Sequence, residues 1–162
     1  HPMLIPHFQY LLRAEADANA LVLTSLDTVP ADRRASEEFT RALGLMAHIQ
    51  IARRTWLGRL QGSPLKVDDW FPPWTIDRSR FEARDLDRLW ENYFSLLDPA
   101  RIDDVLTYTA SNGQQYSNQL RDVFTHVFNH STYHRGQIAR LVHQSGGQRA
   151  ITDFVALTRC TL

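Results

Sequence analysis

The chain has 162 residues and a mass of 18.7 kDa, with 43% hydrophobic and 22% charged residues, which excludes a disordered chain and fits one ordinary domain over residues 1–162. Eighteen Lys and Arg offset eighteen Asp and Glu, a balance that argues against a dedicated nucleic-acid binder, which carries a basic face. One cysteine, Cys160, excludes an intrachain disulfide scaffold.

The first residues show no basic region followed by an apolar core, and His1 and Pro2 ahead of Met3 read as a remnant. No apolar run approaches the roughly 18 residues of a membrane span, so the expected address is the cytoplasm. From Pro6 to Asp27, Phe8, Leu11, Leu12, Leu21 and Val22 recur at helical spacing, and Pro30 closes the segment. A second helix starts at Ser36, a capping residue followed by Glu37 and Glu38, and carries Phe39, Leu45, Ile49, Trp56 and Leu60 until Gly62 and Pro64 end it.

Leu65 to Ser79 is neither helical nor strand-like. Its Trp70–Trp74 stretch, rich in aromatics and proline, reads as an ordered loop, either packed on the core or walling a cleft or dimer contact. A third helix runs from Arg80 to Leu97. Val105 to Tyr108 alternates, Asn112-Gly113 signals a type I′ turn, and Tyr116 returns, which predicts one short hairpin. The fourth helix runs from Ser117 to Gln144, with Gly146-Gly147 as its C-terminal signal, and a short helix covers Thr152 to Thr158. The expected fold is all-α: an antiparallel four-helix bundle with a hairpin before the fourth helix and a short C-terminal helix.

Histidine is the unusual residue. His126, His130 and His134 follow one another at i, i+4 on the fourth helix, where the stripe drifts by about 80° at about 100° per residue. Leu120, Val123, Val127, Ile138 and Leu141 place the later histidines on the buried face, while Arg121, Arg135 and Arg140 point elsewhere. No acidic residue lies between Asp122 and Asp153, so no carboxylate in this stretch satisfies the imidazoles. A divalent metal would. His48, on the edge of the second helix's apolar stripe, is the leading candidate for a further ligand, because bundle sites take ligands from facing helices. His7 and His143 are less suitably placed.

Glu-x-x-His is absent, which excludes a carboxylate di-metal bundle site, and His-Glu-x-x-His is absent, which excludes the zincin arrangement. A mononuclear histidine site with open positions for zinc, nickel or iron remains.

Asn129-His130-Ser131-Thr132-Tyr133-His134-Arg135-Gly136-Gln137-Ile138 resembles the signature of the DinB-like family, the DinB/YfiT superfamily of metalloenzymes. Ala47-His48-Ile49 matches the family's early histidine, and Trp56, Asn112-Gly113 and Ile151-Thr152-Asp153-Phe154 extend the resemblance over nearly the whole chain. The resemblance implies a bundle, often a homodimer, with one divalent metal on His48, His130 and His134. His126 then becomes a residue behind the ligands or a substitute ligand. Gly136 is expected to allow close helix approach. Gln137 is expected to bond a metal-bound water or a ligand histidine. Tyr133 and Arg135 are read as solvated or inter-helix residues as readily as catalytic ones.

Family members include transferases that use low-molecular-weight thiols such as bacillithiol, and a mycothiol-dependent isomerase. The expected function is therefore S-transfer, with the metal activating a thiol cosubstrate supplied from outside, since Cys160 lies beyond the last helix. The alternatives are a hydrolase that deprotonates water on the metal, which lacks a base on the metal helix, and a non-catalytic metal-binding stress protein.

Overall fold

A computed structural model of the chain describes residues 3–161, so His1 and Pro2, read above as a remnant, lie outside the described residues. The elements are α1 (Leu4–Asp27), α2 (Glu37–Leu60), α3 (Ile76–Leu96), β1 (Val105–Thr109), β2 (Gln115–Gln119), α4 (Leu120–Gln144) and α5 (Phe154–Thr158). Single 3₁₀ turns at Ala31–Arg33 and Pro99–Asp103 lie in the connections.

Local chemistry sets these boundaries. The Ser36 hydroxyl accepts from the Phe39 N–H at 3.2 Å and opens α2. α2 and α4 both end on a glycine at positive φ, Gly62 at 72° and Gly146 at 81°. Behind them Ser63 N–H reaches back to Gly58 O and Gly147 N–H to Val142 O, which satisfies the last turn's carbonyls.

Four expected starts move, the first of them α1, which begins at Leu4 rather than Pro6. α3 starts at Ile76, not Arg80, because Thr75 accepts from the Arg78 N–H and is a competent cap. Ser117 belongs to β2, paired with Thr107, so α4 starts at Leu120 rather than Ser117, and α5 starts at Phe154 rather than Thr152. The hairpin turn is not type I′, which needs positive φ at both central residues, since only Gly113 has it, at 80°. Gly113 N–H instead bonds Ala110 O, and Ala110 N–H bonds Gln114 O. These bonds make a three-residue loop with glycine at the left-handed position.

The helices pack as a bundle in which α1 borders α3 and α4, and α2 borders α3 and α4. Two apolar clusters fix their directions. One joins Leu26 of α1, Phe39 and Met46 of α2, Ile76 of α3 and Ile138 of α4. The other joins Phe8 of α1, Leu57 of α2, Trp90 and Phe94 of α3 and Phe124 of α4. The end of α1, the starts of α2 and α3 and the end of α4 therefore share one pole. α1/α3 and α2/α4 are antiparallel neighbours, while α1/α4 and α2/α3 are parallel.

A parallel α2/α3 pair forces the chain after α2 to run back along the bundle. It lies directly on α2. A Cβ at Gly58 would come within 2.7 Å of Ser63 O, and one at Gly44 within 2.8 Å of Phe71 O.

A charged layer separates the two apolar clusters. Arg53 of α2 bonds Asp87 of α3 at 2.6 Å and Gln50 at 2.9 Å, and its Nε lies 3.9 Å from Glu15 of α1. Arg135 of α4 pairs with Glu15 at 3.1 Å and donates to Asn19 Oδ1 at 3.1 Å. Arg135 is thus buried where α4 meets α1. It does not point away from the core as its wheel position suggests, because Glu15 supplies the charge that makes burial tolerable.

Candidate metal centre

His48 sits in the middle of α2, and His126, His130 and His134 on consecutive turns of α4, so both sets face the antiparallel α2/α4 groove. Three of the four converge. His130 Nε2 lies 3.1 Å from His48 Nε2 and 3.2 Å from His134 Nε2, and all three ligand atoms fall within 4.8 Å of one another. Three nitrogens on a tetrahedral ion at about 2.0–2.1 Å stand about 3.3–3.4 Å apart, so the observed spacing is close to that of a ligand set.

Hydrogen bonding shows why these nitrogens need a cation. His48 Nδ1–H donates to Trp70 O at 3.0 Å, which leaves its Nε2 with a bare lone pair. His134 Nδ1–H donates to Gln137 Oε1 at 2.7 Å, with the same consequence. His130 Nε2 can offer at most one hydrogen to two bare acceptors. At least one lone pair therefore meets another, and a bound cation removes the conflict.

Electrostatics favour the same state. Burial, reinforced by repulsion from His134, His48 and His126, lowers the His130 pKa to about 3, so the ring is neutral near pH 7. Burial also lowers His48, partly offset by its bond to Trp70 O and aided by His134. Neutral imidazole is the ligating form.

The returning chain supports His48 from outside. Trp70 supplies the carbonyl, and the Phe71 ring stacks on the imidazole with centroids 4.1 Å apart and planes 16° apart. Trp70 and Trp74 are half-buried and Phe71 is exposed, so this loop walls the site rather than filling the core. The notch at Gly44, one turn before His48, lets the wall come close. A glycine inside an amphipathic helix was the available signal, and sequence reading passed over it.

Among the described residues no other group of His, Cys, Asp or Glu has metal-site geometry. His126 stands outside the converging set. Its ring is 5.6 Å from His130 and packs edge-on against Trp56 at 5.5 Å, while burial and then Arg59 lower its pKa. Gln137 does hold a candidate ligand, as its wheel position suggested. Gly136 does not permit close helix approach, since a Cβ there would meet nothing within 4 Å. Tyr133 is exposed, and Cys160 is a free, exposed thiol past α5.

A cleft of about 570 Å³ opens beside the cluster, bounded by Arg41 and Leu45 of α2, His134, Gln137 and Arg140 of α4, and Phe71 of the loop. That size suits a small-molecule site.

Fold and centre together define a helical-bundle protein with a half-buried three-histidine group able to hold a metal ion. A model of the DinB family matches residues 5–161, nearly the whole length, and the chain belongs to the DinB family. No curated protein and no solved structure matches it. No described helix is long and apolar enough to cross a membrane.

Proposed function

We propose that the chain is a single-domain, divalent-metal-dependent enzyme in which His48, His130 and His134 hold one zinc, nickel or iron ion and a low-molecular-weight thiol is the cosubstrate for S-transfer. The observation that carries the reading is the convergence of three Nε2 atoms, two of them bared by hydrogen bonds on the opposite ring nitrogen. A divalent ion held there would supply Lewis acidity that lowers the pKa of a thiol or water it binds.

The chain's own residues do the rest. Trp70 O and Gln137 Oε1 fix the tautomers of His48 and His134 and raise their basicity. Phe71 shields one face of His48, and the cleft brings a small molecule to the His134 side. Thiol transfer is favoured over hydrolysis because among the described residues no carboxylate joins the histidine group to act as a general base. The carboxylates lining the cleft, Glu37 and Glu38, lie ten or more residues before His48, about 15 Å along α2 at about 1.5 Å per residue.

Metal analysis of protein purified without a chelating column tests the site. Bound zinc, nickel or iron at one per chain is expected, lost in His130→Ala and kept in His126→Ala. Metal-free protein that gains no thermal stability with any of the three ions sinks the proposal. Turnover of electrophiles with a panel of small thiols, absent without thiol, is expected of the transferase. Thiol-independent turnover of esters or amides would replace that reading with the hydrolase. The implied homodimer is read separately by light scattering.

A further inference from the structure

The cleft beside the histidines has an unusual lining. Arg41 enters from α2 and Arg140 from α4, on opposite walls, and Glu37 and Glu38 line the same space. All four are exposed, and among the described residues none is tied by a hydrogen bond or ion pair, to one another or to anything else. The other charged residues packed between helices behave differently: Arg53, Arg54 and Arg135 all carry carboxylate partners. Two unpaired cations and two unpaired anions around one concave space make a surface complementary to a molecule that carries both charges.

The spacing adds a length. Arg41, Leu45 and His48 fall on one stripe of α2 at i, i+4, i+7, and His134 leads through Gln137 to Arg140 and Leu141 on α4. Arg41 is seven residues from His48, and Arg140 six from His134, which is about 10.5 Å and about 9 Å along the helix axes. Leu45 and Leu141 line the stretch between the charged mouth and the histidines.

We infer that this cleft selects a zwitterionic small molecule of the α-amino-acid type, whose carboxylate is held by Arg41 and Arg140 and whose ammonium is held by Glu37 and Glu38. Its reacting end lies roughly 10 Å away at the histidine cluster, along an apolar stem against Leu45 and Leu141. The inference rests on the cluster being the metal centre, and it adds a substrate class that the metal alone does not specify. Arg41 and Arg140 are specificity residues here.

The test is an NMR titration of amide resonances with four probes of equal stem: 2-aminooctanoate, octanoate, octylamine and octanol. 2-Aminooctanoate is expected to bind at least tenfold tighter than the other three and to shift the amides of Arg41, Gln137 and Arg140. Arg140→Ala should remove its advantage over octylamine, and Glu37→Gln with Glu38→Gln its advantage over octanoate. Arg140 lies away from any helix N-terminus, so its variant decides the matter even if the glutamate pair disturbs the start of α2. Equal binding of the four probes overturns the inference, as does a preference that survives in all variants. A parallel cobalt titration separates the two readings. Variants that take up cobalt like the parent while losing the preference support this inference. A parent that takes up no cobalt defeats the metal reading, while the probe ranking still decides the cleft.

Discussion

Glu15→Gln is the sharpest probe of how the centre is supported from below. Glu15 is 3% exposed and faces two buried guanidinium groups, with Oε2 at 3.1 Å from Arg135 and Oε1 at 3.9 Å from Arg53. Arg53 keeps Asp87 at 2.6 Å when Glu15 is neutralised. Arg135, whose side chain is 6% exposed, keeps only neutral acceptors, Asn19 Oδ1 and Thr132 Oγ1. Removing one partner of such a pair costs about 3–5 kcal/mol, because a buried charge is left uncompensated. For a chain of this size each kcal/mol moves Tm by roughly 2–4 °C, so a fall of roughly 6–20 °C is expected. Urea unfolding followed by circular dichroism measures the loss in free energy. Glu15→Met combined with Arg135→Met removes the stranded charge as well and should cost less than Glu15→Gln alone. A loss below about 1 kcal/mol for Glu15→Gln, or a double variant worse than the single one, would refute the reasoning.

Two glycines give opposite expectations. Gly44→Ala drives a methyl into Phe71 O and should lower metal affinity about tenfold by displacing Trp70 O and Phe71 from His48, while Gly136→Ala, facing open space, should stabilise by about 0.4–1 kcal/mol. Metal titration and thermal melts of the pair check both halves. Gln137→Leu removes the acceptor for His134 Nδ1–H and should weaken metal binding by about 10–100-fold, with Gln137→Glu restoring it. The pH dependence follows from His48, His126 and His130, whose pKa values all lie below the usual histidine value in the folded metal-free protein. Below about pH 6.5 the unfolded chain binds more protons than the native one, so metal-free stability should be level above pH 7 and fall as pH drops from there towards about 3, where His130 titrates. Melts at pH 7.5 and 5.5 should show the fall, and His130→Ala should show less of it; a Tm that rises on acidification contradicts the assignment.

Residues that act through helix periodicity were legible in the sequence. The i, i+4 spacing of His130 and His134, the edge position of His48 and the reach of Gln137 all follow from 3.6 residues per turn, and the converging geometry agrees with them. Where wheel logic failed, a contact from another element had intervened. Arg135 falls off the apolar stripe of α4 and reads as solvated or inter-helix; its burial could not be told from α4, because its partner, Glu15, is 120 residues away on α1. His126 sits on the same stripe as the converging histidines yet turns to Trp56, because the groove offers an aromatic neighbour at that level. The Trp70–Trp74 loop could not be assigned between core and wall, since that depends on the relative direction of α2 and α3. Gly136 drew attention through its motif, whereas Gly44 and Gly58, which do meet backbone, lie in unremarkable sequence.

The direction of α2 and α3 is what makes a wall possible. A 24-residue helix is about 36 Å long at about 1.5 Å per residue, so a parallel neighbour can be reached only by a chain that returns over that distance. Residues 61–75 do so, and an extended chain of that length spans up to about 50 Å, enough with slack for the turn at Gly62 and the bends at Asp68, Trp70 and Phe71. An antiparallel α2/α3 pair would need only a short turn and would leave His48 Nδ1 facing solvent at mid-helix, with no carbonyl to hold its tautomer. The topology thus converts a connection the bundle requires into support for one candidate ligand. The ionic layer does the same from the core side, since Arg135 is the residue next to His134 and is fixed by Glu15 and Asn19. The α2 and α4 contributions to the cluster are therefore held by independent contacts. Loosening the loop at Gly44 should disturb His48 first, and breaking the layer at Glu15 should disturb His134 first, a difference that histidine ring resonances in the two variants would resolve.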